Sequence, residues 1–128
     1  MDPASLSLVA VALLATKFGE GLATQAGQNA WMKIQGITRA VRERLNRSDT
    51  QRAALAELDA RPEDEGTRSV VAEQLRNELE NDADFAARIE ALVTAARRDP
   101  GAQTLIAHAS GNAKQAIIRG DNFGSITF

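Results

Sequence analysis

The stretch Asp2-Pro-Ala-Ser-Leu-Ser-Leu-Val-Ala-Val-Ala-Leu-Leu-Ala-Thr16 decides the architecture, because it reads as a helix with no polar face. Asp2 is an N-cap carboxylate, and Pro3 stands at the first helical position, where its missing N–H costs nothing. From Pro3 to Thr16 no residue is charged, and Leu6, Leu8, Val9, Val11, Leu13 and Leu14 fall on every side of a helical wheel. A helix apolar all round has to be buried in protein or in lipid. At about 1.5 Å per residue the segment reaches about 21 Å, short of the roughly 30 Å hydrocarbon core of a bilayer. Extension past Phe18 to Met32 supplies the length, since Lys17 and Glu20 are the only charges between Pro3 and Met32 and their spacing lets them pair. Two environments stay open, the centre of a helical bundle and lipid, and one can follow the other. A secretory signal peptide fits less well, because it wants a Lys/Arg-bearing start and the only early charge is Asp2. Gly19, Gly21 and Gly27, with Ala23, Ala26 and Ala30, make the following turns small-surfaced, which suits close helix packing or a hinge.

Composition narrows the rest. The chain has 128 residues, 44% hydrophobic and 25% charged, the size and balance of one globular domain plus an appendage. A net charge of −2 removes most of the case for nucleic-acid binding, which needs a clustered basic surface. There is no cysteine, so disulfides, thiolate metal sites and cysteine nucleophiles are excluded, and the lone histidine, His108, excludes paired-imidazole chemistry. No catalytic constellation, metal-ligand spacing or phosphate-cradling glycine loop emerges, and the expectation is a non-enzymatic protein without a cofactor. The small net charge conceals a division: residues 1–47 carry six bases and three acids, residues 48–99 seven and thirteen, and residues 100–128 two and one. A mildly basic front, an acidic middle and a nearly neutral tail are three physical environments.

The middle reads as helices throughout. Trp31, Ile34, Thr38, Val41 and Leu45 repeat at three- and four-residue spacing and predict an amphipathic helix to about Arg47. Ser48 or Asp49 caps a short helix carrying Ala54, Leu55 and Leu58. Pro62, followed by Glu63, Asp64 and Glu65, marks another start, with Val71, Leu75 and Leu79 as its buried stripe. Asn81 or Asp82 caps a helix that buries Phe85, Ile89, Leu92, Val93 and Ala96, and Pro100-Gly101 stops it. The expected fold is all-α: a four- or five-helix bundle over residues 1–100, with a disordered or β-prone tail over residues 101–128.

The tail matches itself at an offset of nine residues, Gly111-Asn112 against Gly120-Asp121 and Ala116-Ile117 against Ser125-Ile126. Each unit is a glycine-led polar turn followed by a short β-prone segment. Gln115 to Ile118 and Gly124 to Phe128 are uncharged and free of proline, as segments that stack in register as cross-β are. An ordinary hairpin through Gly120-Asp121-Asn122 is the alternative, marginal without other support.

With these parts in place the chain resembles bacterial Bell-domain proteins, counterparts of the fungal HeLo-type and mixed-lineage-kinase-like cell-death effectors. The resemblance rests on Ala12 to Ala23, on the Trp31 helix behind it and, above all, on the terminal set Gly111, Asn112, Gln115, Ala116, Ile117, Ile118, Gly120, Asn122, Phe123, Gly124, Ile126 and Phe128. That set is similar to bacterial amyloid signalling motifs and, more loosely, to the necroptotic RHIM. It departs from a RHIM core in placing Gln115 five residues before Gly120. The resemblance implies an effector that rests as a cytoplasmic bundle. A nucleotide-binding, NLR-like receptor with a matching motif would template the tail into amyloid. The clustered chains would then release the first helix, through Leu6, Leu8, Val9, Val11, Leu13, Leu14 and Phe18, into the cell membrane in an antiphage type of defence. The partners so implied are the receptor, further copies of the chain and membrane lipids, with no nucleic acid; a soluble adaptor that recruits through its tail is the alternative.

Overall fold

The computed structural model describes residues 2–16 and 24–120, with residues 111–120 described by backbone alone. Six long helices, α1 (Pro3–Ala15), α2 (Gln28–Arg44), α3 (Asp49–Ala60), α4 (Glu65–Asn81), α5 (Ala83–Arg97) and α6 (Pro100–Gly120), form a bundle with no strand among the described residues. The all-α expectation holds there.

Side-chain caps set most of the helix starts. Asp2, Ser48, Asp64 and Asp82 each accept a backbone N–H from three residues on, at 3.0, 3.1, 2.8 and 3.0 Å. Each bond satisfies one of the orphan donors that every helix start exposes. Pro62 proves to lie in the turn before α4, and Asp64 rather than the proline defines the start. Helix α2 differs: its N-cap is Gly27 at φ 99°, a left-handed-side conformation that a side chain would strain.

The core explains the charge-free first stretch. Helix α1 packs against α2, α4, α5 and α6, which bury most of its charge-free length, whereas Ala4, Ser5 and Leu8 stay exposed. Leu6, Ala10, Val11, Ala12, Leu13, Leu14 and Ala15 are all buried. The other elements contribute stripes: Ile34, Ile37 and Val41 from α2, Val71, Leu75 and Leu79 from α4, Phe85, Ile89 and Val93 from α5. Helix α3 lies further out, packed on α4 through Leu55 and Leu58. Arg42 joins it to α2 through a two-pronged bond to Asp59, at 2.8 and 3.1 Å.

The described residues correct the sequence reading at residue 100. Pro100-Gly101 ends one helix and also opens another, so the bundle continues through α6 past the boundary drawn at 100/101. Ala102, Leu105, Ile106 and Ala109 of α6 are buried in the same core cluster as α1. The bundle therefore has six long helices where four or five were expected. The segment 115–118, expected as a strand, lies within the helical backbone of α6 in this single chain. Asn122, Phe123, Gly124, Ile126 and Phe128 lie outside the described residues.

Candidate functional site

The residues expected to enter lipid mostly face inward. Leu6, Val11, Leu13 and Leu14 are buried and Val9 is partly buried, whereas Leu8 is 63% exposed. Phe18, Lys17 and Glu20 lie outside the described residues. Asp2 anchors the start of α1, and the hydrogen bonds from Ser5 hold its carboxyl below the usual range. Ser7, the buried hydroxyl of α1, donates to the Ala4 carbonyl at 2.8 Å, so its polar group is satisfied within the helix. No helix among the described residues is long and apolar enough to cross a membrane.

What covers α1 is in part the segment that leads into the expected amyloid motif. Helix α6 packs on α1, α2 and α5. Its root is held three ways. The Asp99 carboxylate accepts from the Gly101 and Ala102 backbone N–H groups at 2.9 and 3.2 Å, and Lys33 of α2 reaches its other oxygen at 3.3 Å. These bonds, the one from Ala102 above all, hold Asp99 below the usual carboxylate range. Gly101 is also pressed so closely on the turn before α2 that a Cβ there would stand 2.1 Å from the Ala26 carbonyl oxygen. From that root Ala102, Leu105, Ile106 and Ala109 run along the core at i, i+3, i+4 and i+7. Gly111, Asn112, Gln115, Ala116, Ile117, Ile118 and Gly120 follow in the same helical backbone.

Sequence reasoning missed Asp99, Lys33 and the apolar stripe of α6, though a signal was present. Asp99-Pro100 repeats the Asp2-Pro3 start, and residues 102–109 carry a helical period that the glycine- and amide-rich residues after them obscure.

A second polar cluster fastens α2 to α4 and α5. Arg44 donates to Glu78 at 2.6 Å and to Asp82 at 2.9 Å, with its guanidinium carbon 4.8 Å from the centre of the Phe85 ring. The bond to Glu78 raises the Arg44 pKa; the Phe85 N–H, and then Arg44, hold Asp82 low. Each of the three residues serves the fold. In the acidic run Glu63-Asp64-Glu65, Asp64 is occupied in capping α4, taking both the N–H and the hydroxyl of Thr67, and those bonds lower its pKa. No group of three or more His, Asp or Glu side chains is placed to hold a metal ion among the described residues.

No protein-family model matches the chain, and neither does any curated protein or solved structure.

Proposed function

We propose that this chain is a membrane-permeabilising cell-death effector held silent by its own bundle. In this reading the C-terminal motif, residues 111–128, is templated into amyloid by a matching motif on an NLR-like receptor. Further copies are recruited, and drawing the tail into the assembly strips α6 from α1. The observation that carries the reading is the direct packing of α6, continuous with that motif, on the charge-free α1. Stacking chains in register concentrates their bundles and makes a second step, lipid entry, effectively intramolecular. The resting state is cytoplasmic, the active state lies at the cell membrane, and the setting is innate, antiphage-type defence.

The shortness of α1 favours a second reading, a soluble helical adaptor that recruits through its tail without touching lipid. Dye leakage from liposomes, measured with the full chain with and without preformed fibrils of a residue 111–128 peptide, separates the two. Leakage that requires the fibrils supports the effector; fibril recruitment of the chain with no leakage supports the adaptor. Leu8→Glu is the informative variant, because Leu8 is exposed and the bundle tolerates the charge while lipid does not. It is expected to abolish leakage and leave fibril recruitment intact.

A further inference from the structure

The cleft between the end of α2 and the start of α5 has no part in that function and stands independently of it. It is an open hollow of about 290 Å³ whose buried lining residues are Ala40 and Phe85 and whose charged ones are Glu43, Arg44, Arg47 and Arg88. Arg44 is committed to the fold through Glu78, Asp82 and the Phe85 ring. With Glu78 already held by Arg44 at 2.6 Å, Arg47 at 3.6 Å is a loose second partner, and its side chain is 61% exposed. Arg88 is exposed, with no hydrogen-bond or ion-pair partner among the described residues. Glu43, also exposed and unpaired among them, is the one carboxylate on this lining.

Two guanidiniums without a close partner thus border one hollow. Each presents a planar fork of N–H donors that matches a carboxylate or a phosphate. A single carboxylate fills one fork, whereas a phosphate group has enough acceptor oxygens to bridge two. We propose that this cleft binds a phosphate-bearing ligand through Arg47 and Arg88, with Glu43 opposing, while Arg44, its charge met by Glu78 and Asp82, only shapes the wall. A soluble polyphosphate and an anionic lipid headgroup share this chemistry.

The test uses the full chain with two probes: pyrophosphate in isothermal titration calorimetry, and co-sedimentation with phosphatidylcholine vesicles with or without phosphatidic acid. Saturable binding of either probe is expected, and the probe that binds identifies the source. Arg47→Gln and Arg88→Gln, both at exposed positions, should each weaken it by about tenfold. Glu43→Gln should tighten it by several-fold, because it removes the opposing charge. Arg61→Gln and Glu63→Gln change the net charge equally at exposed sites away from the cleft and should leave the affinity within about twofold. Absence of saturable binding to both probes would overturn the proposal. So would equal weakening by Arg61→Gln and Arg88→Gln, which would show attraction to overall charge and not to this cleft.

Discussion

Replacing Leu105 by alanine asks most directly whether residues 100–110 belong to the bundle or to a tail. Leu105 is wholly buried in α6, beside Ala102, which is buried to the same degree. Leucine to alanine deletes three carbons, worth about 2.4 kcal/mol in transfer free energy at about 0.8 kcal/mol per buried methylene group. A cavity term adds to this where neighbours cannot collapse, and core Leu→Ala changes cost about 2–5 kcal/mol in all. The expected loss here is about 3 kcal/mol, or a fall in Tm of roughly 12–24 °C for a domain near 100 residues. Urea unfolding followed by far-UV circular dichroism, with Trp31 fluorescence as an independent probe, measures it; coincident transitions are also expected. Gln103→Ala, on the exposed face of the same helix, is the control and should stay within about 0.5 kcal/mol. If Leu105→Ala changed stability no more than Gln103→Ala, α6 would not be part of the cooperative core, and the argument that it covers α1 would fall with it.

Other expectations follow from single contacts. Gly101→Ala drives a Cβ against the Ala26 carbonyl and should cost about 1–3 kcal/mol in a thermal melt, whereas Gly36→Ala, where a Cβ meets open space, should be neutral or stabilising. Gly27→Ala should cost about 1–2 kcal/mol in the same melt from φ alone, since nothing crowds the added methyl. Asp2, Asp64, Asp82 and Asp99 titrate below the usual carboxylate range when folded, so the stability they contribute is present above about pH 4 and lost as pH falls through the lowered values. Tm measured from pH 7 to pH 2 should hold on the plateau and drop at the acid end, and Asp99→Asn should lower the plateau and make the drop smaller. A Tm that did not fall on acidification would mean that the caps do not stabilise the bundle.

Between Trp31 and Arg97 the helical fold was legible in apolar periods that follow a cap or an acidic start. Ser48, Asp64 and Asp82 stand at helix starts, and the stripes Val71-Leu75-Leu79 and Phe85-Ile89-Val93 are buried. Pro100-Gly101 reads locally as a stop alone. The same dipeptide is both a stop for α5 and, with Asp99 before it, a start for α6. The glycine is there because the helix root sits against Ala26 and Ala30, a long-range contact that no local pattern reveals. The Lys33–Asp99 pair, 66 residues apart in sequence, was illegible for the same reason. Along α1 the pattern specified burial but not the medium, because an all-apolar helix in a bundle core and one in lipid have the same composition.

That ambiguity has an energetic consequence for any release of α1. Leu6, Val11, Leu13 and Leu14 are at most 9% exposed. Exposing each to water costs about 1.5–3 kcal/mol, so these four alone amount to roughly 6–12 kcal/mol. A whole domain is stable by only about 5–15 kcal/mol. Moving α1 into water is therefore nearly equivalent to unfolding the bundle, and no local hinge motion supplies it. Removing α6 lowers the barrier by taking away one of the four neighbours of α1, but it leaves α2, α4 and α5 in place. A lipid phase changes the balance, because it offers apolar surroundings for the same side chains and spares the hydration cost. Stripping of α6 and arrival at a bilayer would then have to act together, and fibrils without membrane should leave most of α1 protected from hydrogen exchange.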